Sequence, residues 1–517
     1  MSEASPASER LIGYAALIAR FSLPDLGAAH ASYLRPSGGV LEERHPDGSL
    51  RVGYPRRYDP GDDTVQHLVF ALKYDGVDLR VLRGVFAAMP SEELTAAVRA
   101  QPTGQYTRRL WFLYEWLTGR ALDVPDLTQG NYVPLFDPGD YVTGPETNSP
   151  RHRVRMNALG HAALCPVVRR TPRLAQWIDA TPTLEASAHA FIEAVPATTL
   201  WRATAFLYDK ETRSSYAIER ETPKTGRVER FVGVLREAWD ARPMSRELLV
   251  RVQNAIVEPD YVEHHERRGQ NWVGRTSPTF QEEVYLLPPT PTALPALLDA
   301  WIDLANHLTR RDRNPVPPVV GAAVLSFMFV YLHPFFDGNG RCHRWLMHWA
   351  LARRGFGPRG VVLPVSAAIL RDAARYEAVL ESLSRPLRAH TRYAFRGHEL
   401  VVLDDHAALF QHLDLTAHAE ALYDWLARTI EREMREEVEF LERFDRAVQG
   451  LRAVREMPDR KEHLFVRYVA QNRGRLSKVK RAQFAEVPDA EVAAMEAAVR
   501  DAFDLPSPDD PTLPPSG

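Results

Sequence analysis

The chain has 517 residues, too many for a single core at roughly 100–200 residues per domain, so more than one domain is expected. Its 45% hydrophobic and 25% charged composition is that of a globular protein, and a net charge of −3 supplies no global field for nucleic acid or a membrane surface. Two cysteines, Cys165 and Cys342, exclude a disulfide framework and a four-cysteine zinc site and fit a reducing compartment.

The N-terminus, MSEASPASER, is polar and shows no apolar signal region, so a cytoplasmic location is expected. Residues 1–185 read as a mostly helical region of unassigned role. Apolar positions recur at helical spacing in Arg108–Leu117 and Ala186–Ala194, with loop signals at 34–39 and 132–150. Residues 186–395 read as the next domain. Two β-favouring runs, Asn271–Val273 and Glu283–Leu287, flank a polar turn at Ser277-Pro278 and predict a hairpin. A helix is expected from near Thr292. Pro317-Pro318 opens another, where proline is tolerated best. Its Val319–Leu332 stretch is apolar all round, shorter than the roughly 20 residues a bilayer needs, and stopped by His333-Pro334, so it predicts a buried core helix and no membrane span. Residues 396–504 read as a C-terminal helical region. Leu426, Ile430, Met434, Leu441, Val448 and Leu451 recur at helical intervals, as in a bundle helix, with a coiled-coil surface as the alternative. The Pro-rich 505–517 tail is expected to be disordered.

The chemistry concentrates in His333-Pro334-Phe335-Phe336-Asp337-Gly338-Asn339-Gly340-Arg341-Cys342-His343-Arg344. One helix ends at His-Pro and a second is predicted from Asn339 to about Arg354. Gly338 and Gly340 let backbone N–H groups approach a ligand, and the second helix aims its positive end at the same place, which makes an anion nest. Arg341 and Arg344, three apart, can reach one side with bidentate guanidiniums. Asp337 offers a hard oxygen for Mg²⁺, and His333 is the titratable base. Together these are the parts of phosphoryl or nucleotidyl transfer.

At these residues the chain resembles the Fic (filamentation induced by cAMP) family, whose motif is His-x-Phe-x-Asp/Glu-Gly-Asn-Gly-Arg-x-x-Arg. Every fixed position is filled: His333, Phe335, Asp337, Gly338, Asn339, Gly340, Arg341 and Arg344. The resemblance implies a mainly α fold: a helical core with a β-hairpin flap, flanked by helical terminal regions. It also implies AMP transfer from ATP to a Ser, Thr or Tyr hydroxyl of a target protein whose identity the sequence does not give. By that likeness His333 deprotonates the hydroxyl and Asp337 holds Mg²⁺ between the α- and β-phosphates. Gly338, Asn339 and Gly340 bind phosphate oxygens, Arg341 meets the β-phosphate and Arg344 the γ-phosphate. The 270–289 hairpin matches the flap that holds the target segment, with Tyr285 and Leu286 near the nucleotide. Tyr376 falls where the family often places an adenine-contacting tyrosine. Ser384 stands where some relatives have asparagine.

Upstream, Ser215 and Glu219 resemble the family's Ser/Thr-x-x-x-Glu-Gly/Asn inhibitory helix, with Arg220 departing from the usual Gly or Asn. The likeness implies that Glu219 pairs with Arg344 and removes a γ-phosphate contact. The expected function is therefore an autoinhibited protein adenylyltransferase. Removal of AMP, use of another nucleotide, and a nucleotide-sensing binding protein are the alternatives. Other signals read as structural. Gly355–Gly360 matches G-x-G-x-x-G but follows a helix and reads as a helix stop. Glu263-His264-His265-Glu266 reads as a polar segment, and His343 and His348 as structural or solvent-facing. The basic cluster around Arg473, Arg475, Lys478, Lys480 and Arg481 reads as a solvated face; nucleic-acid contact is the alternative, since a local patch can matter on a neutral protein, but no aromatics interleave it to support stacking.

Overall fold

The computed structural model describes residues 10–27, 30–44, 50–240, 242–277, 282–397 and 399–506. Pro278 of the predicted turn, the first nine residues and the tail from 507 lie outside these.

The apolar stretch before the motif forms helix Pro318–Leu332, with every residue from Val319 to Leu332 buried. A helix apolar on all sides can be stable in water only when surrounded, and this one is the axis of the largest core, which gathers residues from Leu26 to Met434. Around it, in chain order, lie α1 (Ala197–Ile218), α2 (Thr225–Glu237), α3 (Arg246–Ile256), α4 (Leu294–Leu308), the central α5 (Pro318–Leu332), α6 (Asn339–Arg354), α7 (Val365–Arg371) and α8 (Ala373–Ala389). Pro318 opens α5 and Gly355, at φ 76°, closes α6 as its left-handed cap, so the G-x-G-x-x-G match is a helix stop. Strands β1 (Val273–Thr276) and β2 (Glu282–Leu286) pair antiparallel, as the predicted hairpin requires.

The N-terminal third is less helical than its pattern predicts. Helices such as Leu79–Ala88 and Gln105–Thr118 are joined by a four-stranded sheet formed by Leu11–Ile12, Ala31–Arg35, Leu50–Pro55 and Leu41–Arg44, in that order across it. A three-stranded sheet pairs Val133–Pro134 and Thr147–Ser149 with Val154–Met156. The loop signals at 34–39 and 132–150 thus contain short strands, which are too brief to leave a period-two pattern. The expected boundaries at 185/186 and 395/396 fall inside helix Pro172–Ala194 and strand Tyr393–Arg396.

Residues Thr416–Val454 form one continuous helical run with a π-helical turn at Thr429–Glu433. The six apolar residues read from its periodicity are all buried within the chain, as in a bundle helix. A third core from Ala447 to Ala502 closes the C-terminal region. Among the described residues no helix is long and apolar enough to cross a membrane.

Candidate active site

The motif loop is built between two left-handed residues. His333 caps α5 at φ 49°, its N–H still donating to the Phe329 carbonyl at 2.9 Å, and Pro334 cannot continue the helix. Gly338, at φ 86°, starts α6, and a Cβ there would lie 2.8 Å from Val257 Cγ1, so only glycine fits. Between them Phe335 is buried. Asn339 braces the turn from inside: its Nδ2 donates to the Phe335 carbonyl at 2.7 Å, and its Oδ1 accepts from the Phe335 N–H at 3.0 Å.

Residues outside the motif hold the loop from the other side. Arg267 donates through Nε to the His333 carbonyl at 2.9 Å, through its backbone N–H to Pro334 at 2.8 Å, and through its guanidinium to Gly269 at 3.1 Å and Pro289 at 2.5 Å. Burial pushes its pKa down to about 10. The Glu263 carboxylate accepts from the Phe336 N–H at 2.8 Å, and the Gln253 amide donates to the Asp337 carbonyl at 3.3 Å. None of these three was legible in sequence. Glu263, in the stretch read as a polar segment, is a loop brace.

His333 lines a cavity of about 1000 Å³ with Asp337, Gly338, Asn339, Gly340, Arg344, Tyr285, Leu286 and Tyr376. Its Nδ1 lies 3.1 Å from the Val330 carbonyl, which can only accept, so Nδ1 carries the proton and Nε2 the lone pair. Burial pushes its pKa down to about 4; Arg267 adds to this, while the Val330 carbonyl and Asp337 act the other way. The imidazole is therefore neutral across the physiological range and can take a proton.

Asp337 accepts through Oδ1 from the Gly338 N–H at 2.6 Å and from Arg341 at 2.9 Å, while no described residue donates to its Oδ2. The Gly338 N–H and the Asn339 side chain are thus engaged within the loop. The N–H groups at the start of α6, on Asn339, Gly340 and Arg341, precede the first helical bond, from the Cys342 N–H to Gly338, and so have no partner within the helix, an arrangement that suits an anion.

Both motif arginines are buried and engaged. Arg344 donates through Nε to Ser215 Oγ at 2.8 Å, and through one terminal nitrogen to the Ser215 carbonyl and to Glu219 Oε1, each at 2.7 Å. Glu219 thus meets Arg344, and Ser215, four residues before it, meets the same guanidinium. Glu219 also does more: its Oε2 lies 2.7 Å from Arg341 Nε, an ion pair whose N–H is not aligned for a hydrogen bond. Arg341 further meets Glu221 at 3.1 Å and Asp337 at 2.9 Å. Glu219 to Glu221 form a Schellman turn ending α1: the Arg220 N–H donates to Ala217 and the Glu221 N–H to Tyr216. Arg220 therefore sits left-handed, at φ 59°, which explains why Gly or Asn suits this position.

The flap packs against α8. A register shift at Val273/Gly274 lets Gly274 approach so closely that a Cβ would lie 2.0 Å from the Glu283 carbonyl. Tyr285 is partly exposed over the cavity and Leu286 is buried beneath it. Tyr376 is buried among Phe327, His343 and Trp425. His343 and His348 are both buried rather than solvent-facing: His343 Nδ1 donates to Ser326 at 2.7 Å and His348 meets Glu211 of α1 at 2.8 Å. In the C-terminal basic cluster, Arg481 bonds Val487 and Asp489, and Lys480 lies over Tyr468, so part of that charge is used within the chain.

Residues 243–351 match the model of the Fic/DOC family. The chain is 32% identical over 117 residues to the protein adenylyltransferase fic-1 of Caenorhabditis briggsae, covering 23% of this chain and 22% of that protein. It is 40% identical over 72 residues to the protein adenylyltransferase Fic of Nematostella vectensis, covering 14% and 16%. The chain thus spans less than a third of the length of these relatives. Among solved structures, a Fic domain containing signaling protein from Bacteroides thetaiotaomicron overlaps 50% of this chain and 96% of its own, with TM-score 0.36 and 17% identity. Fic-1 (aa134–508) from C. elegans overlaps 72% and 98%, with TM-score 0.32 and 17% identity.

Proposed function

From a chain whose residues 243–351 match the Fic/DOC family, we propose that the protein transfers AMP from ATP to a Ser, Thr or Tyr hydroxyl of another protein, and that Glu219 holds it off. The observation that carries this reading is the neutral His333 imidazole, with its Nε2 lone pair free, lining one cavity with Asp337 and the start of α6. The names of the curated relatives support it.

In this reading the polyphosphate of ATP lies on the N–H groups at the start of α6, and Arg341 and Arg344 neutralise the leaving pyrophosphate. The target hydroxyl gives its proton to His333 Nε2 as its oxygen bonds to the α-phosphorus, and the bond from that phosphorus to the pyrophosphate oxygen breaks. Asp337 fits Mg²⁺, because one carboxylate oxygen is free and magnesium takes few protein ligands when phosphates are present; the ion would supply charge neutralisation between the phosphates. The flap holds the target segment over His333, with Tyr285 and Leu286 beside the nucleotide and Tyr376 near its base. With Glu219 on both arginines, ATP meets a carboxylate where its terminal phosphates belong.

The test is incubation with α-labelled ATP and Mg²⁺, with CTP, GTP and UTP run alongside. Label should pass to protein, rise in Glu219→Gly and vanish in His333→Ala. No label from any nucleotide, even in folded Glu219→Gly, would overturn the reading and leave nucleotide sensing.

A further inference from the structure

Arg341 is fully buried and cannot move far, yet each of its three nitrogens faces a different carboxylate: Nε meets Glu219 at 2.7 Å, and the two terminal nitrogens meet Glu221 at 3.1 Å and Asp337 at 2.9 Å. Glu221 shares its Oε2 with Arg227, at 3.0 Å. Arg227 is itself buried and also holds Glu258 at 3.0 Å. The cluster thus sets Arg227, Arg341 and Arg344 against Glu219, Glu221, Asp337 and Glu258. Three positive charges face four negative ones, so the cradle carries no surplus attraction for a polyanion. Removing Glu219 alone only brings the count to zero.

Glu219 and Glu221 sit in the same Schellman turn, whose parent helix is pinned along its length. Glu211, fully buried on α1, accepts from His348 of α6 and from the Ser366 N–H, each at 2.8 Å. Lys210 pairs with Glu433 and Glu437, each at 3.0 Å. A helix held by such buried pairs does not slide away readily. Any release at the arginines is therefore local to 219–221, where Glu219 meets both Arg341 and Arg344 while Glu221 meets Arg341 and Arg227.

We infer that Glu221 is a second restraining carboxylate, acting on Arg341 independently of Glu219 and persisting after Glu219 is removed. The inference rests on the transfer reading for its consequence, but not for its physics. Glu221 is about a third exposed and can swing towards Arg227, which keeps its charge partnered, whereas Arg341 has no such freedom. Releasing Glu221 frees one face of Arg341 for a β-phosphate.

The experiment is calorimetric titration of the full chain with Mg·ADP, which carries α- and β-phosphates but no γ-phosphate and so reports on Arg341 more than on Arg344. Wild type, Glu219→Gly, Glu221→Gln and the double variant are compared, with transfer of AMP from ATP measured in parallel. Glu221→Gln keeps the side-chain volume and an acceptor for Arg227. It should tighten ADP about three- to tenfold in the Glu219→Gly background, since one negative charge held against Arg341 is removed. An unchanged or weaker affinity there would overturn the inference, and would do so even if Glu219→Gly alone raised transfer. ADP that tightens across the series without any transfer of AMP would sustain the second restraint and overturn the transfer reading instead.

Discussion

Glu219 rests on the backbone of Gly340: a Cβ built on that glycine would lie 2.3 Å from Glu219 Oε1. The carboxylate thus occupies the first turn of α6, against the backbone proposed to receive phosphate, while bonding Arg344 at 2.7 Å. In the proposed reading, inhibition and phosphate binding would compete for one place, not merely for one arginine.

This contact is measurable as a coupling. Gly340→Ala should destabilise the wild type by about 1–2 kcal/mol, because a carboxylate must leave two guanidiniums to admit the methyl. In Glu219→Gly the same change should be neutral or slightly stabilising, as alanine favours a helix. Chemical denaturation of the four proteins gives the coupling; identical costs in both backgrounds would show that the two residues do not touch.

Arg220 should be replaceable with profit to stability. Its left-handed backbone, φ 59°, costs an ordinary residue roughly 1 kcal/mol that glycine does not incur. Arg220→Gly should raise the unfolding free energy by about 0.5–1 kcal/mol and hold Glu219 more firmly, lowering any transfer activity. A destabilised variant would mean that the Arg220 side chain contributes more than its backbone costs.

Arg267 is predicted to be worth more than any surface residue. Arg267→Leu would leave the carbonyls of His333, Gly269 and Pro289 without their guanidinium donor inside a packed loop. A loss of about 2–4 kcal/mol in unfolding free energy is expected, with the greater loss in turnover. A variant of normal stability and activity would remove the loop-bracing role.

The acid side of the pH–rate profile should lie well below the usual histidine range. With His333 pushed down to about 4, Nε2 is available as a base from roughly pH 5 upward. A rate that falls with an apparent pKa near 6.5 would place the ring in a more watery setting than its burial implies.

Folding stability should show a separate acid dependence. Burial pushes His343 and His418 down to about 3 and His412 to about 4. Each unfolded ring binds its proton near pH 6.5, so between there and pH 4 the unfolded state holds more protons. Their contribution is complete above about 6.5 and is lost progressively as pH falls toward 3–4, by up to about 1.4 kcal/mol per pH unit per ring. Urea midpoints measured from pH 7 to 4 should fall accordingly; a flat profile would mean that the rings are solvated in the native state.

The residues of the proposed site were legible as a group because they are local. His-Pro ends a helix, two glycines permit left-handed turns, and arginines three apart share a side, all from the order of residues in one stretch. The all-round apolar stretch ahead of them identified α5 as a core helix for the same reason. The small N-terminal sheets were not legible, since strands such as Leu11–Ile12 and Val133–Pro134 are stable only through their neighbours.

By itself the sequence determined the identity and spacing of base, carboxylate and guanidiniums, since these follow from backbone geometry over a few residues. Only the tertiary structure decided which of these groups are free. Contacts across long stretches of chain set Glu219 on both arginines, bring Glu221 to Arg341, and shield the His333 ring enough to push its pKa down. Hydrogen bonding and desolvation depend on what is near in space, and nothing in the local order of residues records that.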